Sequence, residues 1–68
     1  REVQVFKRGQ VLNNDADFDH AMWFGRHVEV WQNEKLIDYG GKIEMYTDDA
    51  VKINGAYFLR RNCEFRIR

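Results

Sequence analysis

Apolar and polar residues alternate along most of the chain after residue 26, which is the pattern of β-strands with one buried face. The alternation is clearest from His27 onward, where Val28 and Val30 fall on the same side of an extended chain. Further extended segments follow at residues 36–39, 43–46, 51–53, 57–60 and 63–67. Each segment spans only a few residues, so the pattern predicts short strands.

Turn-forming residues separate these segments. Asn54-Gly55 is the strongest hairpin signal, because both residues tolerate the positive φ that a two-residue hairpin turn requires. Further turns are predicted at residues 33–35, 47–49 and 61–62, and Gly40-Gly41 permits a bulge or a sharp bend.

A helix is predicted over residues 15–24. Asn14 or Asp15 can accept hydrogen bonds from the first free backbone N–H groups, and carboxylates are favoured in the first turn by the helix dipole. Phe18 and Met22 are four residues apart, so they share one face and can pack on an apolar surface.

The same segment also resembles the start of a calcium-binding loop. Asp15, Asp17 and Asp19 match its first three ligand positions. His20 stands where that loop needs glycine, and Arg26 stands where it needs a bidentate Glu. An arginine at the last ligand position would repel the ion, so the helix is the preferred interpretation.

One more strand is predicted near the start of the chain, where Val3 and Val5 alternate with polar residues before Gly9. The order is then one strand, one helix, and four or five strands in a single domain of residues 1–68. Bent at residues 40–41, such strands can bury their apolar sides by closing on themselves, which also removes exposed edges. We therefore predict a mainly β fold, a five- to six-stranded antiparallel SH3-like or Sm-like barrel with one short helix. The alternative is an open antiparallel sheet with the helix on one face.

From Gly25 onward, about two thirds of the chain resembles the Sm-like proteins, the group that includes bacterial Hfq. The matching features follow in the family's order: the V-x-V strand of Val28 and Val30, a bend at Gly41, an acidic turn and a closing hairpin over residues 57–67. The chain differs from the family in its N-terminal strand and in having no Lys-His pair of the Hfq type. The resemblance implies a small barrel that binds RNA.

Length and composition limit the chemistry that the chain can support. A 68-residue domain buries a small core, so we predict that it gains stability by forming a homo-oligomer. Cys63 is the single cysteine, which excludes an intrachain disulfide, and with two histidines it does not make a zinc site. The chain has no serine and no recognisable triad, so we predict no enzyme, no cofactor and no metal. The lone thiol indicates the cytoplasm, and no apolar run reaches transmembrane length.

The charges balance overall, with 11 basic and 11 acidic residues, yet residues 60–68 hold four arginines and one Glu. Guanidinium groups match phosphate oxygens, and exposed aromatic rings can stack on bases. We therefore predict a nucleic-acid interface, for RNA or DNA, that consists of Arg60, Arg61, Arg66, Arg68, Trp31 and Phe58.

Two alternatives stay open at this point. The aromatic residues can complete the core, and the arginines can pair with Glu64 and neighbouring aspartates. The balanced net charge is also typical of a protein-interaction or oligomerisation module that pairs through its sheet edges.

Overall fold

The chain forms a six-stranded antiparallel sheet with one short helix, and the computed structural model describes residues 6–68. In chain order the elements are β1 (Val11–Leu12), α1 (Asp15–Trp23), β2 (His27–Gln32), β3 (Lys35–Tyr46), β4 (Ala50–Ile53), β5 (Ala56–Leu59) and β6 (Glu64–Ile67). The strands lie in the order β1-β6-β2-β3-β4-β5. The predicted mainly β fold with a single short helix is confirmed.

The long strand β3 connects two sections of the sheet. Its first half pairs with β2 and its second half pairs with β4. The pairing with β2 shifts register opposite Gly40, which has φ +73°. A Cβ atom at this glycine would lie 1.7 Å from the carbonyl oxygen of Val28, so only glycine fits. The irregularity in the strand thus lies where Gly40-Gly41 predicted a bulge or bend.

The sheet is open in residues 6–68, because β1 and β5 are its two edges and do not pair with each other. Closure into a barrel is therefore not seen, and the arrangement corresponds to the predicted alternative of an open sheet with the helix on one side. Helix α1 packs against β3.

The core lies between α1 and one face of the sheet. Its fully buried side chains come from the helix and from strands β2, β4 and β6, and include Phe18, Val28, Val30, Val51, Ile53, Phe65 and Ile67. Ile43 is buried but Met45 is exposed, since a register shift separates them and turns Tyr46 inward instead. The alternation of the predicted segment 43–46 therefore does not keep both of its apolar residues on the buried face.

The predicted helix is confirmed with its C-terminal end one residue earlier. Asn14 is the N-cap, and its side chain accepts a hydrogen bond from the Asp17 N–H at 3.0 Å. Phe24 is the C-cap, and Gly25 follows with φ +60°. Strand β1 was not predicted, while the strand predicted around Val3 and Val5 lies outside the described residues.

The predicted hairpin turns are confirmed. Asn33 and Glu34 both have positive φ between β2 and β3, and Asn54 and Gly55 do so between β4 and β5. Positive φ at both central residues matches the right-handed twist of the flanking strands. The side chain of Thr47 accepts hydrogen bonds from two backbone N–H groups in the turn before β4.

Candidate functional site

Each of the three aspartates of α1 has a bonding partner within the protein. Asp15 pairs with Arg60 at 2.9 Å, Asp17 accepts a hydrogen bond from the Asn13 N–H at 2.8 Å, and Asp19 accepts one from the Tyr46 hydroxyl at 2.5 Å. Their carboxylates thus have three different partners. Among residues 6–68 no group of three or more His, Cys, Asp or Glu side chains could hold a metal ion.

The hydrogen bond to Asp19 has an electrostatic consequence for the phenol of Tyr46. Together with partial burial and the negative charges of Asp19 and Asp15, it raises the pKa of Tyr46 to about 12 from its ordinary 10.0. The hydroxyl therefore stays protonated and keeps donating to the carboxylate.

Arg60 is engaged inside this contact between helix and sheet. Its guanidinium lies 4.7 Å from the ring centre of Phe18 and 5.8 Å from that of Tyr46, and it donates to the carbonyl oxygen of Thr47 at 2.7 Å. Its side chain is only 18% exposed. Arg60 therefore serves as the internal counterion of Asp15, with little of its surface open to a ligand.

Trp31 and Arg66 form a second closed network, on β2 and β6. The Arg66 guanidinium lies 4.0 Å from the Trp31 ring centre and donates to Glu64 at 2.7 Å, with Glu34 3.7 Å away. The Trp31 indole N–H donates to Glu29 at 3.0 Å. Two carboxylates pair with one arginine here and a third lies on the neighbouring Trp31, so this surface has an excess of negative charge and disfavours phosphate.

The other three predicted interface residues are dispersed. Phe58 is half-buried and packs on the core. Arg61 is exposed in the turn after β5, and Arg68 is exposed after the end of β6. The six predicted residues thus do not form one interface: Trp31 and Arg66 contact each other, whereas Arg60 and Arg68 contact other parts of the fold, and the binding role of all six stays a prediction.

Arg68 belongs to a different cluster of positive charge. A shallow cleft of about 480 Å³ is lined by Arg8, Gly25, Arg26, His27 and Arg68, and we call it the cationic cleft. It lies where the turn after Phe6, the C-terminal end of α1, the start of β2 and the end of β6 come together.

Hydrogen bonds to backbone carbonyl groups connect the segments that line the cationic cleft. Gly9 donates its N–H to the carbonyl of Ile67 at 2.6 Å, which ties the turn that carries Arg8 to β6. The Arg26 guanidinium donates to the carbonyl of Phe6 at 3.3 Å. The N–H of Arg68 donates to the carbonyl of His27 at 3.0 Å.

The charges of this region are not neutralised within residues 6–68. Lys42 lies opposite His27 on β3, and its ammonium group is 3.7 Å from the position that a Cβ atom on Gly25 would occupy. None of Arg8, Arg26, Lys42 and Arg68 takes part in the ion pairs found among the described residues. The C-terminal end of α1 contributes only about half a negative charge, so four full positive charges dominate.

Exposed aromatic residues lie next to cleft residues, either along the chain or in space. Trp23 is 81% exposed and Phe24 is 58% exposed, and both immediately precede Gly25. On β3, Tyr39 is 67% exposed, and the Arg68 guanidinium lies 5.6 Å from its ring centre.

The sequence analysis missed most of this cleft. Arg8 and Arg26 line the cleft and Lys42 lies beside its residue Gly25, but the three are far apart along the chain and only the fold brings them together. Trp23 could have been found, because Phe18 and Met22 define the buried face of the helix and Trp23 projects roughly 100° away from it.

Comparison of the chain with models of known protein families, with curated protein sequences and with solved structures finds no match. In residues 6–68 no helix has the length and apolar character needed to cross a membrane.

Proposed function

We propose that this protein is a non-enzymatic binding module that contacts nucleic acid, RNA or DNA, through the cationic cleft. The observation that carries the proposal is the convergence of Arg8, Arg26, Lys42 and Arg68, none with an ion-pair partner in the described chain. Unneutralised cations attract a polyanion at long range and release its condensed counterions on binding.

The cationic cleft contains only one of the six interface residues that the sequence predicted. Arg68 is kept, whereas Arg60 and Arg66 are already compensated by carboxylates. A phosphate that approached either of them would have to compete with a charge-assisted hydrogen bond of 2.7–2.9 Å. The same phosphate meets no such competitor at Arg8 or Arg68 within residues 6–68.

The fold type and the cellular compartment are part of the same proposal. The bent strand β3, shared by two sections of the sheet, supports a small SH3-like or Sm-like arrangement. We place the protein in the cytoplasm on the basis of its single free thiol, Cys63.

A salt titration with two matched double variants tests the function. Arg8→Gln/Arg68→Gln removes two charges from the cleft, and Lys35→Gln/Arg61→Gln removes two exposed charges elsewhere. Against a single strand, each lost phosphate contact should reduce the slope of log K against log salt by roughly 0.7. We expect a loss of about 1.4 for the cleft variant and little change for the control.

Two outcomes would contradict the proposal. If the wild-type protein binds neither RNA nor DNA at low ionic strength, nucleic acid is not its ligand. If the Lys35→Gln/Arg61→Gln control loses as much slope as the cleft variant, the interface lies elsewhere.

A second candidate function is self-association through β5. Met45, Tyr57 and Leu59 are exposed on the outer side of β3 and β5, and among residues 6–68 no strand pairs with the outer edge of β5. Residues 56–59 carry no charge, so antiparallel pairing with a second copy would bring no like charges together. Light scattering after size-exclusion chromatography should then give a dimer that Tyr57→Lys dissociates, and a monomeric wild type at high concentration would exclude it.

A further inference from the structure

We infer that the ligand of the cationic cleft is single-stranded nucleic acid, whose bases stack on the exposed rings of Trp23, Phe24 and Tyr39. The inference rests on the proposed function and specifies its ligand. Base–aromatic stacking next to a positively charged groove is the general mode by which proteins bind single strands without strong sequence preference.

Trp23 and Phe24 are exposed although they could be buried. A tryptophan and a phenylalanine at the C-terminal end of a helix could pack on the core, as Phe18 does in the middle of the same helix. Instead Trp23 and Phe24 leave most of their surface in water. Large exposed apolar groups that lie together mark binding surfaces more often than isolated ones do.

Trp23 and Tyr39 are both close to residues that line the cationic cleft. Trp23 precedes the cleft residue Gly25 by two positions, so their Cα atoms are within about 7.6 Å of each other. On β3, Tyr39 has the guanidinium of Arg68, another cleft residue, next to its ring. An aromatic residue is thus attached to the backbone close to the helix end of the cleft, and a second ring lies beside Arg68.

The geometry of the site favours a single strand over a duplex. Direct reading of a duplex requires a helix or β-ribbon that enters a groove. Here the nine-residue α1 packs on β3 and lies beside the cleft with its C-terminal end, which has negative rather than positive partial charge. In a duplex the bases are paired and stacked, so their faces are not accessible to Trp23 or Tyr39. A single strand can place phosphates on Arg8 and Arg68 and splay its bases onto the rings.

The fluorescence of Trp23 provides a direct test. The Trp31→Phe variant leaves Trp23 as its sole tryptophan, and its folding can be checked by circular dichroism. This variant is titrated with a single-stranded RNA, a single-stranded DNA, a duplex and inorganic polyphosphate, which carries phosphates without bases. We expect quenching of Trp23 by the single strands alone, and the RNA and DNA arms rank the two sugars.

Affinity measurements on ring variants complete the test. Trp23→Ala and Tyr39→Ala should each weaken single-strand binding about 5- to 150-fold, the range that one lost stacking contact gives. Tyr57→Ala is the matched control, because Tyr57 is similarly exposed but lies on β5. Binding of polyphosphate should be unchanged in all three variants.

The outcomes separate the two proposals. If polyphosphate and single strands bind equally well through Arg8 and Arg68 and Trp23 is not quenched, the cleft binds anions and stacking is wrong. Equal quenching by duplex and single strand would also overturn the inference. If no polyanion binds at low salt, the proposed function itself fails.

Discussion

Replacing Phe18 with Ala tests whether the helix is a structural part of the fold. Phe18 is 2% exposed, and its ring lies 5.7 Å from that of Phe65 in an edge-to-face arrangement and 5.5 Å from that of Tyr46. Truncating a buried phenylalanine costs about 3–5 kcal/mol. A domain of 68 residues has about 3–10 kcal/mol of total stability, so this one change should remove a third or more of it.

Urea denaturation followed by circular dichroism measures the loss. Phe24→Ala is the matched control, since it removes the same side chain from an exposed position at the other end of the helix and should cost less than about 0.5 kcal/mol. If Phe18→Ala does not fold, Phe18→Leu should still lose about 1–2 kcal/mol. Equal and small effects of the Phe18 and Phe24 substitutions would show that α1 is not docked on the sheet, and would refute the reasoning.

Three further predictions follow from local geometry. Spectrophotometric titration should find one tyrosine that ionises near pH 12, and Tyr46→Phe should remove that step. The pKa of Tyr46 is higher in the folded than in the unfolded chain, so its contribution to folding stability is complete below pH 10 and is lost as the pH rises towards 12. Gly40→Ala should lower the free energy of unfolding in urea by about 2–5 kcal/mol, because the added Cβ meets the Val28 carbonyl. Gly9 also has positive φ but open space around it, so Gly9→Ala should cost about 1 kcal/mol. Equal losses in the two variants would contradict the close approach at Gly40. Burial raises the pKa of the Cys63 thiol, so disulfide reagents should modify it slowly in the native protein and rapidly in urea, and fast native modification would contradict its packing.

Local sequence signals predicted the elements well where the signal is itself local. Turn chemistry located the hairpin at Asn54-Gly55, and the N-cap of Asn14 located the start of the helix. Strand β1 escaped prediction, because Val11–Leu12 is too short to show any periodicity and forms only by pairing with β6. The exposure of Met45 escaped for a related reason, since a bulge is a property of two paired strands.

The candidate site depended even more on long-range order. Counting arginines over residues 60–68 treated neighbours in sequence as neighbours in space, yet Arg60 and Arg66 contact different elements. The cleft is built from residues as far apart as Arg8 and Arg68, which meet because the turn that carries Arg8 is hydrogen-bonded to β6. No window along the chain contains that information.

A net charge of zero conceals how this protein separates its charges. Asp15 is paired with Arg60, and Glu34 and Glu64 are paired with Arg66, so those two arginines serve folding and their charges are compensated in the field that a ligand feels at long range. The cations of the cleft have no such partners in residues 6–68, and they lie close together, so their uncompensated charges add there. Which charges are already satisfied, rather than how many there are, therefore locates the surface that attracts a polyanion.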